Sequence, residues 1–369
     1  MLGLWSLLSQ LWSLLSLKRP RPKARNQVFQ FAVFIFQFSI CTLLVLPPPG
    51  ILAQSPAQTP DQEDILRVDT DLTNLLFTAT DRNNRYITSL RENDVRVLED
   101  GVLQKLFTFQ WETDRPLSLA FLIDVSISQE RTLAEEKAAA RTFIENVVRS
   151  HKDQAAIIPF EGYAHLEQPL TRDVLSLYRA LEHVEVAFPS YVGSAPPIAG
   201  ISSGPGTIAP PTEGSTAIWD SVWVTCRRVL APDREQKRRA IILLTDGRDT
   251  TSRVPRNAAA DQALATDTVI YAIGIGDKKY EGVNKNVLKE VAERTGGRAF
   301  FPKKEEDLRA AFAEIEAELR SQYLLAYSST NKNHDGLFRE MTIEIANPDL
   351  AKQGLKLRYR PGYFAKRGG

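Results

Sequence analysis

Along the chain the hydrophobic and polar positions fall into distinct rhythms. From Ile65 to Trp111 they alternate: ILRVDTDL and NLLFTATD, a polar DRNNR turn, VRVLED-G, then LQKLFTFQW. Alternation at period two, broken by Asp, Asn and Gly turns, predicts strands with one buried face. A module of roughly 50 residues buries little core by itself, so it is expected to pack on something else.

From Leu117 continuous apolar runs alternate with helical spacing. LSLAFLID, QAAIIPF, RRAIILLTD and TVIYAIGIG read as strands buried on both faces. Between them, Glu130–Arg149 puts Leu133, Ala140, Phe143, Ile144 and Val147 on one helical face. Thr216–Leu230 and Asn284–Thr295 read as further helices, and Leu308, Phe312, Ile315 and Leu319 mark a last amphipathic one. This alternation predicts an α/β fold, a doubly wound and mostly parallel sheet flanked by helices. After Gln322 strand patterns return in YLLAYS, FREMTIEI and LKLRYRPGYF. These are expected to pair with the early strands into one small β-sandwich-like module. One stretch breaks the rhythm: Phe188–Gly214 is rich in Gly, Pro and Ser, and a loop that long inside a domain is usually functional or disordered.

The amino-terminal pattern is of another kind. Lys18, Arg19, Arg21, Lys23 and Arg25 precede a gap without charge that runs to Asp61, and Val28–Leu46 inside it is almost wholly apolar. A basic flank before an apolar run reads as a signal peptide or a membrane anchor, basic side cytoplasmic. Length does not separate the two, since about 18 residues suffice to span; Ile51-Leu52-Ala53 offers small-residue cleavage chemistry. Upstream, LWSLLS occurs twice, and on a helix its serines and leucines segregate as in an interfacial segment. An over-long start of translation accounts for residues 1–17 equally well. The expected organisation is therefore a cytoplasmic 1–26, a signal or anchor 27–53 and a linker 54–63. Beyond the linker come the first β part (64–115), an α/β domain carrying the site (116–322) and the returning strands (323–369). The chain beyond the apolar run is expected outside the cytoplasm, in the cell envelope, periplasmic or secreted.

Composition removes several alternatives. Forty-six basic and 45 acidic residues leave a formal charge of +1, so no global case for nucleic acid arises. Cys41 and Cys226 exclude a disulfide scaffold and a thiolate metal cluster. His151, His165, His183 and His334 lack metal-ligand spacing, which leaves oxygen ligands for any metal chemistry.

Oxygen ligands converge at the predicted carboxyl edge of the sheet, where ligands bind in open α/β folds. The first buried strand ends in Asp124-Val-Ser126-Ile-Ser128, and another ends in Asp246-Gly247. Thr216 heads the helix after the long loop. Two carboxylates and three hydroxyls from three turns suit a hard divalent cation. Singly each has a bland reading, Thr216 as a helix cap and either Asp as a turn residue.

In this order the five residues resemble the metal ion-dependent adhesion site of the von Willebrand factor type A (VWA) family, D-x-S-x-S, then Thr, then Asp. GSTAIWDSV, LLTDGRD, YAIGIG and ERTGGRAFF are similar to that family too, over about Pro116–Tyr327. The flanks, VLEDG and LQKLFTF before and SQYLLAYS and RYRPGYF after, resemble its exported subgroup, the VWFA-related Acidobacterial domain proteins. Ile127 stands where Gly is usual and Gln129 where Met is common, which questions the shape of the loop. The resemblance implies a bound Mg²⁺, or Mn²⁺ or Ca²⁺, and a protein partner whose acidic side chain completes the metal's coordination. It implies adhesion or assembly without turnover, so no catalytic residue is assigned.

Two other readings stand beside it. The metal site is vestigial and the domain a structural part of an envelope scaffold, or the chain is a Mg²⁺-dependent hydrolase or phosphotransferase. Against the latter, the second acid such enzymes place two residues on is here Ser126, and no Walker loop or G-x-S-x-G elbow occurs. The arginines and lysines from Arg227 to Arg239 are expected on a solvated surface, and Trp219, Trp223 and Cys226 in the core.

Overall fold

The computed structural model describes residues 72–111, 115–187, 215–232, 238–276 and 282–367. The amino-terminal apolar run and the loop 188–214 lie outside the described residues. Among the described residues no helix is long and apolar enough to cross a membrane.

The chain enters through β1 (Leu72–Thr80), β2 (Val95–Glu99), β3 (Val102–Gln104) and β4 (Leu106–Trp111). Strand and helix then alternate through β5 (Leu117–Asp124), α1 (Leu133–Val147), β6 (Gln154–Phe160), β7 (Gln168–Thr171), α2 (Val174–His183) and α3 (Ile218–Val224). The α/β part closes with β8 (Arg238–Thr245), α4 (Arg256–Ala265), β9 (Thr268–Gly274), α5 (Lys285–Arg294), β10 (Ala299–Phe300) and α6 (Glu305–Leu319). Last come β11 (Tyr323–Ser328), β12 (Phe338–Ile345), the short α7 (Pro348–Lys352), β13 (Lys356–Tyr359) and β14 (Gly362–Phe364).

The central sheet has the order β10-β9-β8-β5-β6-β7, parallel except for β7, which runs against β6. All eight residues of β5 are buried, so consecutive side chains must serve opposite faces. Leu117, Leu119, Phe121 and Ile123 pack with α1, α2 and α6; Ala120 and Leu122 pack with α3, α4 and α5. The neighbour β8 divides the same way, Ile242 and Leu244 against Ile241 and Leu243. Two helical layers therefore cover the sheet, as the continuous apolar runs require. Pro169 in β7 is tolerated because an edge strand need not donate on both sides.

Early and late strands form two antiparallel sheets, β13-β1-β11-β4 and β14-β12-β2-β3. Leu75 faces Leu325 and Phe77 faces Tyr323 across β1 and β11, and these pack on Val97, Met341 and Ile343 of the other sheet. The Phe77 and Tyr323 rings stack at 5.0 Å. Where LQKLFTFQW reads as one strand, the chain breaks at Lys105 and passes from one sheet to the other, β3 to β4. Inside the sandwich the buried Glu99 accepts from Tyr327 (2.8 Å) and Tyr363 (3.0 Å) and from the Ser329 hydroxyl.

The sandwich docks at the amino edge of the central sheet. Glu318, at the end of α6, accepts from Tyr271 of β9 at 3.2 Å and lies 3.5 Å from the Tyr86 hydroxyl. Arg298 and Arg358 approach the same carboxylate. The expectation of a solvated basic surface fails at Arg238, which is 6% exposed. Its guanidinium donates to Leu319 O and to Gln322 Oε1 (3.1 Å), while Arg239 donates to Leu230 O (3.0 Å) and Thr266 O (3.2 Å). Helices end here, and their last carbonyls lack intrahelical donors. Arginines from the strand starts supply them.

The Gly-Gly pair serves both contacts. Gly296 has φ +84°, and a Cβ there would lie 2.6 Å from the Arg360 nitrogen; at Gly297 a Cβ would lie 2.0 Å from Ile270 O. Gly297→Ala is expected to cost ~3 kcal/mol or more in denaturant unfolding, because backbone must move. Gly101→Ala, whose φ is +79° but whose Cβ would meet nothing within 4 Å, should cost only ~1 kcal/mol. Equal midpoints for the two variants would refute this account of the pair.

Candidate metal centre

β5 and β8 are adjacent and parallel, so their last residues reach the same edge together. Asp124 ends β5 with no exposed surface, and Asp246 follows β8 at 4%. A tight turn after Asp124 brings Ser126 and Ser128 back over it. Asp124 Oδ1 accepts from the Ser126 backbone N–H (3.0 Å) and hydroxyl (2.6 Å). Ser126 Oγ lies 3.1 Å from Ser128 Oγ, and Ser128 donates to Asp246 Oδ2 at 3.1 Å. Four of the five candidate residues thus form one unbroken hydrogen-bonded chain.

Thr216 reaches the same edge by other means. Its backbone N–H donates to Thr250 Oγ1 (2.7 Å), and its carbonyl accepts from Thr250 and Thr251. Next to it, Ala217 donates to Glu161 O, just past the end of β6 (2.6 Å). The Thr216 hydroxyl makes no hydrogen bond among the described residues and so is not joined to the other four. The helix expected from Thr216 begins at Ile218, because Asp249 and Ser252 take the first N–H groups: Ile218 to Asp249 Oδ1 (2.8 Å) and Trp219 to Ser252 Oγ (3.0 Å). The segment Thr225–Leu230 continues it as a π-helix, with Cys226 buried and its thiol pushed up to about 12 by that burial. Trp223 meets the expectation of a core position only in part, being half-buried.

Ile127 causes no backbone strain. Ile127–Gln129 is a single 3₁₀ turn, and Ile127 is not among the residues with positive φ, so glycine is not required there. Gln129 is fully buried and ties the turn down. Its Nε2 reaches Ile275 O (3.3 Å) and Ser128 Oγ (3.4 Å), and its Oε1 accepts from Thr132 (3.0 Å). A methionine could do none of this.

Four residues near the site escaped the sequence reading. Thr245 donates to Asp124 Oδ2 at 2.6 Å, completing a shell of neutral donors around that carboxylate. The residue before the metal-type Asp was the available signal. Gln129 stood in plain view as the departure from the pattern. Glu161 feels Asp124 after its own burial, and the two raise its carboxyl to about 7. Glu136 of α1 is 1% exposed, and neither of its oxygens has a hydrogen-bond partner.

The electrostatics point one way. Burial lifts Asp124 to about 6 against the pull of its hydroxyl donors, and the charge of Asp246 adds to the lift. Asp246 is raised too, by burial first, against its bonds from Arg248 and Ser128. Buried carboxylates whose neighbours are hydroxyls are short of positive charge. A divalent cation would supply it, and the donors present are the hard oxygens that Mg²⁺, Mn²⁺ or Ca²⁺ prefer. Asp124, Ser126, Ser128, Thr216 and Asp246 would hold it. Among the described residues no group of three or more His, Cys, Asp or Glu offers another metal site.

Residues 208–314 match the sequence model of the von Willebrand factor type A domain. The chain carries a von Willebrand factor type A domain; the match includes Thr216 and Asp246, whereas Asp124, Ser126 and Ser128 lie upstream of it. No curated protein matches the chain. Among solved structures it is similar to proximal thread matrix protein 1 from the mussel byssus, at 19% identity and TM-score 0.44 over 60% of this chain and 51% of that one. The chain thus spans about half the length of the mussel protein. A structure of the same mussel protein with a zinc-occupied MIDAS motif gives TM-score 0.45. BatB from Bacteroides thetaiotaomicron is similar at 19% identity and TM-score 0.42, over 56% of this chain and all of that one. A von Willebrand factor type A protein from Catenulispora acidiphila is 12% identical, TM-score 0.43, over 82% of this chain and 75% of its own.

Glu136 yields a prediction independent of any ligand. Its burial, only partly offset by Thr132 and reinforced by the charges of Asp124, Glu135 and Asp246, lifts it from 4.5 to about 8. Between those values the folded protein keeps a proton that the unfolded chain releases. Stability is therefore full below about pH 4.5, falls as pH rises toward 8 and levels off above it. Glu136→Gln should raise Tm by roughly 4 °C or more at alkaline pH in EDTA and flatten this slope. Melts that fall in parallel for both proteins would contradict the assignment.

Proposed function

We propose that the protein is exported and binds a protein ligand through a divalent cation held by Asp124, Ser126, Ser128, Thr216 and Asp246. The observation that carries this reading is the chain from Asp124 through Ser126 and Ser128 to Asp246, closed on its far side by Thr245. Two carboxylates do not over-neutralise a divalent ion, so the ion retains affinity for a third. A carboxylate from the partner becomes that third ligand, and the metal bridges two proteins.

The role is adhesion or assembly, not turnover. A phosphoryl-transfer site of this shape needs an acid two residues after the first Asp, where this chain has Ser126, whose hydroxyl donates to Asp124. Export rests on the basic flank Lys18–Arg25 followed by the apolar Val28–Leu46. The segment is read as a cleaved signal or as an anchor in the membrane, the remainder lying in the envelope or secreted. The paired flanking strands support membership of the exported Acidobacterial subgroup.

A thermal melt of the full chain in millimolar Mg²⁺ and again in EDTA tests the metal. Binding to the folded state alone adds ~2.7 kcal/mol when free metal is a hundredfold above Kd, so Tm is expected to rise by several degrees. Asp246→Asn should abolish that rise while leaving the EDTA melt in place or slightly higher, since a raised carboxylate is removed. Identical melts in Mg²⁺, Mn²⁺, Ca²⁺ and EDTA would leave only the scaffold reading.

A further inference from the structure

Beside the metal centre, toward β9, lies a concavity of about 400 Å³. Its floor is apolar, formed by Ile275, Val283, Phe301 and Leu308. Among the described residues its rim carries an excess of one sign, Lys285, Lys303 and Lys304 against Glu135. All three lysines are exposed. Lys285 lies over the Phe301 ring at 5.4 Å, and Lys304 has only a solvent-exposed partner, Glu306 at 3.7 Å, a pairing worth little in water.

This cavity shares a wall with the site. A Cβ on Gly276 would lie 2.8 Å from the Asp246 Cβ, so the backbone lining the cavity touches the side chain that holds the metal. On the opposite side Thr132 lines the cavity and bonds Gln129, whose amide spans from Ile275 O to Ser128 Oγ. The two glycines of the G-I-G run thereby acquire a purpose: Gly274 makes room for Phe301 and Val283, and Gly276 for Asp246.

We infer that the partner is read at two points, its metal-bound carboxylate and, a few residues away, an aromatic or aliphatic side chain that enters this cavity beside a second acidic residue facing the lysine rim. The inference rests on the metal reading above and narrows the partner to an acidic segment with an apolar anchor. An apolar floor takes the anchor by burial, and a lysine rim selects its acidic neighbour by charge. A neutral or basic segment satisfies the metal no worse but leaves the rim unmatched.

The probe is a displayed library of random linear peptides, selected on the full chain in millimolar Mg²⁺ and eluted with EDTA. Eluted peptides are expected to combine an acidic residue with an apolar residue and a second acid nearby. They should bind the variant Lys285→Glu/Lys303→Glu/Lys304→Glu roughly tenfold or more weakly, and the corresponding Lys→Arg variant about as well as wild type. EDTA-eluted peptides that lack this pairing, or that ignore the charge reversal, overturn the cavity's role and leave the metal reading standing. Peptides that resist EDTA, or no enrichment at all, overturn the metal reading and this inference with it.

Discussion

Everything at the carboxyl edge is arranged around one electrostatic problem, the carboxylate of Asp124 at the end of a strand with no exposed surface. Its neighbours are three neutral donors, the Ser126 N–H and hydroxyl and the Thr245 hydroxyl. Such bonds solvate a carboxylate but do not cancel its charge. The second carboxylate, Asp246, is linked to the same hydroxyl chain and worsens the imbalance. Positive charge placed at this edge would relieve both carboxylates.

The position of the β-sandwich follows from chain direction. β5 is entered from β4 at the amino edge, and α6, after β10, returns there before β11 begins. Both crossings between the two parts of the molecule therefore lie at the edge opposite the site. There the arginines of the strand starts cap helix carbonyls, and Glu318 gathers Tyr271, Tyr86 and Arg358 around one buried carboxylate. The sandwich can fix the amino edge firmly without covering the carboxyl edge.

Much of this was legible in the residues. LSLAFLID announced a strand buried on both faces, and the structure divides its side chains between two helical layers as that pattern demands. The Leu308, Phe312, Ile315, Leu319 spacing gave α6, which runs Glu305–Leu319. Less visible were α4, whose RNAAADQALA carries no contrast between faces, and β10, two residues long, too short for any period. Asp124, Ser126, Ser128 and Asp246 could be singled out because the motif lists side chains at strand ends, and the fold brings these four into one hydrogen-bonded chain. Thr245 and Gln129 could not, because their roles depend on which strand lies next to which, and on a loop whose backbone only the fold defines. Arg238 was misjudged for the same reason: sequence shows a charge cluster, whereas the carbonyls that bury it belong to helices far along the chain.

Glu136 shows how far the site's charge extends into the protein. It lies in the first turn of α1, on its buried side, and feels the charges of both Asp124 and Asp246. A carboxyl kept neutral there adds no further repulsion to the pair at the edge. Ionised, it would be a further negative charge with, among the described residues, only the nearby Thr132 hydroxyl to offset its burial. The two carboxylates at the edge are thus backed, on the side of α1, by an acid that holds its proton.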